Sequence, residues 1–62
     1  GVEQIRKKAP KYATHDELHG EDIVYYGRDA RGRWCYIEDD SGCGWPAHSN
    51  DFDRLDIEAK PL

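Results

Sequence analysis

Large apolar residues fall in short bursts separated by polar turn-formers, and the bursts have the length of strands rather than helices. "EDIVYYG", residues 21–27, is a β-branched and aromatic run closed by Gly27, the clearest strand in the chain. "RDARGR", residues 28–33, is a polar turn holding Gly32, and "RWCYIE", residues 33–38, is the second strand. "DDSG", residues 39–42, places Gly42 where a turn wants positive φ. "CGWP", residues 43–46, is a third short strand, which Pro46 must end or put on an edge. In "HSNDFDRL", residues 48–55, the i,i+3 spacing of Phe52 and Leu55 predicts a single helical turn. "DIEAKPL", residues 56–62, reads as a short final strand running into a tail from residue 59.

The N-terminal third is less regular. In "THDELHG", Thr14 followed three residues later by Glu17 fits a capping box and Gly20 a helix stop, so one helical turn or a tight polar loop is expected. Residues 1–11 carry only Val2 and Ile5 as large apolar side chains and run into Pro10. Two turns of helix are the most they can form, and an isolated helix that short is unstable in water. The expected organisation is a flexible arm over 1–11, a β domain over 12–58 and a tail over 59–62. Three or four short strands with turn signals between them predict a mainly β fold, a small antiparallel barrel or curled sheet with slight helical content.

Length then limits the core. A chain of 62 residues buries only about 60% of the surface its unfolded form exposes. The hydrophobic fraction is 37% and the mean hydropathy −1.00, so aromatics must do much of the packing. The expected core is Ile23, Val24, Tyr25, Tyr26, Trp34, Tyr36, Ile37, Trp45, Phe52, Leu55 and Ile57. No run approaches the ~20 apolar residues of a membrane span, and the first residues lack a charged-then-apolar leader pattern, so a soluble, cytoplasmic protein is expected.

Charge is segregated along the chain. Residues 1–12 hold Arg6, Lys7, Lys8 and Lys11 against Glu3, a balance of +3, which leaves five Lys/Arg against twelve Asp/Glu, −7, in the remainder. Such a body repels nucleic-acid backbones, whose affinity for proteins comes from Lys and Arg. Direct nucleic-acid binding by the folded part is therefore disfavoured.

The order of motifs resembles the Src-homology-3 domain. Tyr12-Ala13, Asp16-Glu17-Leu18, Gly20 with Asp22-Ile23, Trp34, Gly44-Trp45-Pro46, and Phe52 before Leu55 stand in that family's order over residues 12–57. The resemblance implies a Src-homology-3-like barrel in which Tyr12, Trp34, Pro46 and Phe52 line a groove for a polyproline-II peptide. Asp16 and Glu17 would pair with a basic residue of that peptide. The chain departs from the family pattern in a short loop before Gly20 and in extra residues between Pro46 and Phe52, where the family binds its ligand. Tudor-type barrels share the architecture.

Strand alternation puts Trp34 and Tyr36 on one face and Cys35 and Ile37 on the other. Either the aromatics point outward as a binding face with Trp45, or they point inward and supply the core. Cys35 and Cys43 admit a disulfide, or half of a zinc site with His15, His19 and His48. Their Cys-x₇-Cys spacing lacks the close pair typical of structural zinc, and cytoplasmic thiols stay reduced, so a buried Cys35 and a free Cys43 are preferred. Glu38, Asp39 and Asp40 lack the alternate spacing of a calcium loop and read as solvated turn residues. No nucleophile triad, phosphate loop or dinucleotide motif is present, and neither an enzyme nor a cofactor is expected.

The function expected is protein binding, through the aromatics flanked by acids, with Arg28, Arg31 and Arg33 adding polar or cation–π contacts. The partner would be a proline-rich peptide or a larger protein. A second expectation is a small regulatory protein docking on a nucleic-acid enzyme, its acidic body in a basic channel and residues 6–11 in an acidic groove. In size and charge layout the chain is similar to small phage-encoded proteins that bind host RNA polymerase. A zinc-stabilised binding module comes third.

Overall fold

A computed structural model describes residues 1–62. Five antiparallel strands form one sheet in the order β4-β3-β2-β1-β5: β1 (His15–His19), β2 (Asp22–Arg28), β3 (Trp34–Asp39), β4 (Gly42–Pro46) and β5 (Lys60–Pro61). Helix α1 spans Val2–Lys8, and α2 spans Phe52–Glu58 after a 3₁₀ turn at Ser49–Asp51. Strand outweighs helix, 40% against 27%. The sheet stays unclosed, with β4 and the two-residue β5 at opposite edges, so it is the curled-sheet alternative rather than the barrel.

Glycine chemistry fixes the hairpins. Gly20 has φ 64 in the Gly20-Glu21 turn between the His19↔Asp22 pair, where the first central residue of a II′ turn requires positive φ. At the β2–β3 connection Asp29 Oδ1 accepts from the backbone N–H groups of Arg31 and Arg33, and Gly32 takes φ 77. Gly42, at φ 116, begins β4 as its position in "DDSG" predicts.

Two local expectations fail. Residues 15–19 are strand β1 instead of a helical turn or a tight polar loop, because pairing with β2 from His15↔Tyr26 to His19↔Asp22 outweighs a local capping signal. The helical turn expected at Phe52–Leu55 runs on to Glu58 through the start of the expected final strand, and the last strand is residues 60–61, inside the expected tail. Arg54 supports that extension by facing Asp51, at the end of the 3₁₀ turn, at 3.6 Å and Glu58, at the end of α2, at 3.6 Å.

Helices cover opposite faces of the sheet. On one face α2 and the preceding loop bury Tyr26, Trp34, Ala47 and Leu55 as the core, with Val24, Tyr36, Phe52 and Ala59 packed against it. On the other face Cys35 and Ile37 are buried under the segment that follows α1. There, a Cβ on Gly27 would stand 3.1 Å from the Tyr12 carbonyl oxygen and 3.1 Å from Ile37 Cδ1, so a side chain here would require its neighbours to give way. Double coverage explains why Trp34 and Cys35, neighbours on opposite faces, are both buried. The outward alternative for Trp34 is thereby overturned. Trp45 and Ile57 are also not core residues, being 68% and 84% exposed.

Helix α1 buries none of its residues. It is tied to the sheet by the Tyr25 hydroxyl, which donates to the Ile5 carbonyl at 2.7 Å.

Cys35 and Cys43 are joined in a disulfide, with Cα atoms 5.5 Å apart, and no free cysteine remains. This corrects the preference for free thiols. Cys35 faces Pro46 and Ile37 faces Cys43 across the β3–β4 ladder, with a register shift between Tyr36 and Ile37. The two cysteines thus share a face diagonally, within ordinary disulfide reach.

Candidate interaction surface

Trp34 is fully committed inside the protein. Its indole N–H donates to Asp56 Oδ1 at 2.7 Å, linking β3 to α2. Arg28 donates to the same oxygen at 3.2 Å, and its guanidinium lies 4.0 Å from the indole centroid, a cation–π contact. His15 meets the ring edge-on at 4.9 Å. Burial first, and then the Arg28 charge, lower the His15 pKa from its ordinary value. The Trp34 N–H, followed by Arg28, holds the Asp56 carboxyl below its usual range.

Glu17 is likewise structural. It is 8% exposed and accepts from Arg54 on α2 and from the Tyr26 hydroxyl at 3.3 Å, while His19 Nε2 lies 2.6 Å away. Burial pushes its carboxyl pKa up, but the hydrogen bonds and charges of Arg54 and His19 outweigh burial and leave it lowered. A buried acid so partnered clamps α2 onto β1. It is not free to meet a ligand.

Edge strand β4 gives a different picture. It is paired to β3 on one side only. Its Trp45 is opposite Tyr36 in the register and 68% exposed, while Tyr36 is half-buried against the core. Pro46 is exposed at the strand's end. The acids Glu38, Asp39 and Asp40 at the β3–β4 turn are exposed beside it, and an added Cβ on Gly44 would lie 4.0 Å from the Glu38 side chain. Asp39 accepts from the Ser41 hydroxyl and backbone N–H, which hold its carboxyl below the usual range, and Asp40 accepts from the Lys11 N–H at 2.7 Å.

The remaining residues singled out from sequence scatter. Tyr12 is 53% exposed on the α1 side, with the Lys11 ammonium 5.4 Å from its ring centroid. Asp16 is buried on that same side, on the opposite face from its neighbour Glu17. Phe52 packs on the core. Arg6, Lys7 and Lys8 form the exposed last turn of α1. Arg31 and Arg33 are exposed at the β2–β3 turn, Arg33 paired to Asp29 at 3.1 Å. With both sulfurs in the disulfide, the Cys/His zinc set lacks its thiolates.

These features define a small antiparallel sheet domain carrying one exposed tryptophan on an open edge. No family model, curated protein or solved structure matches the chain. No helix is long and apolar enough to cross a membrane.

Proposed function

We propose that the protein is a non-enzymatic interaction module that takes an extended, basic segment of a partner protein along β4. The observation that carries this reading is the exposure of Trp45, 68%, on a strand with one free edge. An open edge offers main-chain hydrogen bonds to an added strand, a large exposed aromatic supplies the anchor typical of hot spots, and Glu38, Asp39 and Asp40 favour Lys and Arg in the ligand. A polyproline ligand is less well supported, because Trp34, which would line its groove, is 2% exposed and its N–H is bound to Asp56.

Trp45 also provides the assay. Extended Lys-containing peptides, with a proline-rich basic peptide as the alternative ligand, are titrated against the intrinsic fluorescence. Binding of the extended peptides should blue-shift the exposed indole, and Trp45→Ala should abolish binding with the circular dichroism unchanged. Preference for the proline-rich peptide would favour the groove instead, and equal affinity in Trp45→Ala would overturn the reading.

A second reading is supported by the charge layout. Arg6, Lys7 and Lys8 end α1 on one side of the sheet, while exposed Asp53 and Glu58 lie on α2 over the other. A protein so polarised suits docking on a larger nucleic-acid enzyme such as RNA polymerase, the acidic side in a basic channel. Retention of one large assembly from lysate, weakened by salt and by replacing Arg6, Lys7 and Lys8 with Ala, would support it. Indifference to both changes would refute it.

A further inference from the structure

Asp16 and Glu17 are adjacent buried acids with opposite circumstances. Glu17 has three side-chain partners. Asp16, 6% exposed, makes no side-chain hydrogen bond and no ion pair with any residue, although Lys60 is opposite it in the β1–β5 register. Buried carboxylates are rare unless paired. No buried side-chain oxygen is wholly enclosed without a partner, so the Asp16 carboxylate keeps a small accessible area.

That area belongs to a groove of about 560 Å³ between α1 and the sheet, which Asp16 lines together with Val2, Ile5, Leu18, Ile23 and Pro61. Leu18 and Val2 are 56% and 67% exposed, so the apolar walls are open to a ligand. A concave, mostly apolar cavity with a few convergent polar groups is the usual form of a small-molecule site, and this volume lies in the ordinary range of about 300–1,000 Å³; Gln4, Arg6, Lys8, Glu21 and Lys60 also line it, and Asp16 is the one buried residue of the lining.

We infer that this groove binds a small aliphatic amine, its primary ammonium on the Asp16 carboxylate and its hydrocarbon stem against Leu18, Ile23, Val2 and Ile5. The ammonium supplies the charge-assisted hydrogen bonds that Asp16 lacks. Arg6, Lys8 and Lys60 also line the groove, and their charges select a ligand with a single positive group over a polyamine. An anionic amphiphile would meet the Arg and Lys side chains of the lining but would leave Asp16 unpaired and repelled. The site is separate from the β4 edge and does not depend on what binds there.

The test is a titration of the isotope-labelled chain with n-hexylammonium, 1-hexanol and hexanoate at neutral pH, followed by the methyl shifts of Leu18 and Ile23. Hexylammonium should bind roughly tenfold tighter than hexanol, the effect of one hydrogen-bonded charge. Asp16→Asn should remove that preference while hexanol affinity stays within about twofold. The ranking of the three ligands by the unmodified chain decides the matter even if Asp16→Asn does not fold. Equal binding of hexylammonium and hexanol, tighter binding of hexanoate, or an undiminished ammonium preference in Asp16→Asn would each overturn the assignment.

Discussion

Reduction of the Cys35–Cys43 disulfide should remove a large share of the stability of this domain. The bridge spans a sequence separation of 8, and closing a loop of that size lowers unfolded-chain entropy by an amount worth about 2.5 kcal/mol at room temperature. A domain of 62 residues has a total stability of roughly 3–9 kcal/mol, so reduction brings the weaker end of that range close to unfolding. Cys43 is exposed whereas Cys35 is 1% exposed, so Cys43→Ser deletes the cross-link without opening a hole in the interior. Urea denaturation of the oxidised chain, the chain in a phosphine reductant, and Cys43→Ser should give one high midpoint and two similar lower ones. With a denaturant slope of about 1 kcal/mol per molar, the separation should be about 2.5 M. Thiol titration of the native, unreduced protein should find no free sulfhydryl. Midpoints within about 0.5 M of each other would refute the entropic argument, and two titratable thiols would refute the bridge itself.

Leu55→Ala should cost about 2–5 kcal/mol, since Leu55 is 1% exposed among Tyr26, Trp34 and Ala47; thermal melting that shows almost no change would mean that α2 does not pack as described. The Glu17 carboxyl is lowered in the native state, so its contribution is complete above the ordinary carboxylate range and lost as pH falls through the native value. Glu17→Gln should therefore flatten the acid limb of the stability profile measured by chemical denaturation, and an unchanged limb would assign it to Asp29, Asp39 and Asp56, whose carboxyls are lowered too. Tyr25→Phe removes the hydroxyl that donates to the Ile5 carbonyl and should speed amide exchange in α1 severalfold with little change in global stability, a net hydrogen bond being worth about 1 kcal/mol.

Much of the fold was legible because its signals are local. Gly32 and Gly42 take positive φ in the two turns their positions predict, and the β-branched and aromatic runs at 22–28 and 34–39 are strands in the structure; Gly20, expected as a helix stop, instead takes positive φ in the β1–β2 turn. Where two local signals competed, the nonlocal partner decided. Thr14 and Glu17 satisfy a capping pattern, yet the ladder from His15↔Tyr26 onward supplies several backbone hydrogen bonds in place of one cap, and Arg54, far along the chain, claims the Glu17 carboxylate. Helix α2 outran its apolar signal because Arg54 bridges Asp51 and Glu58, a pattern readable as i,i+3 and i,i+4 charge spacing.

The candidate surface was legible only in part. Trp34 and Trp45 look alike in sequence, and alternation cannot say which face is covered. Sequence by itself determined a mainly antiparallel β domain, two of its three hairpin turns, its segregated charge and the short list of aromatics that could anchor a partner. Tertiary structure decided how they were used: α2 covers one face and spends Trp34 in the core, the segment after α1 covers the other and buries Cys35, and β4 is left at an edge with Trp45 exposed. It also separated Glu17 from Asp16, one acid given to Arg54 and the other left facing an apolar groove. The physical reason is that burial and pairing depend on contacts between residues far apart in the chain, which no window of neighbouring residues contains.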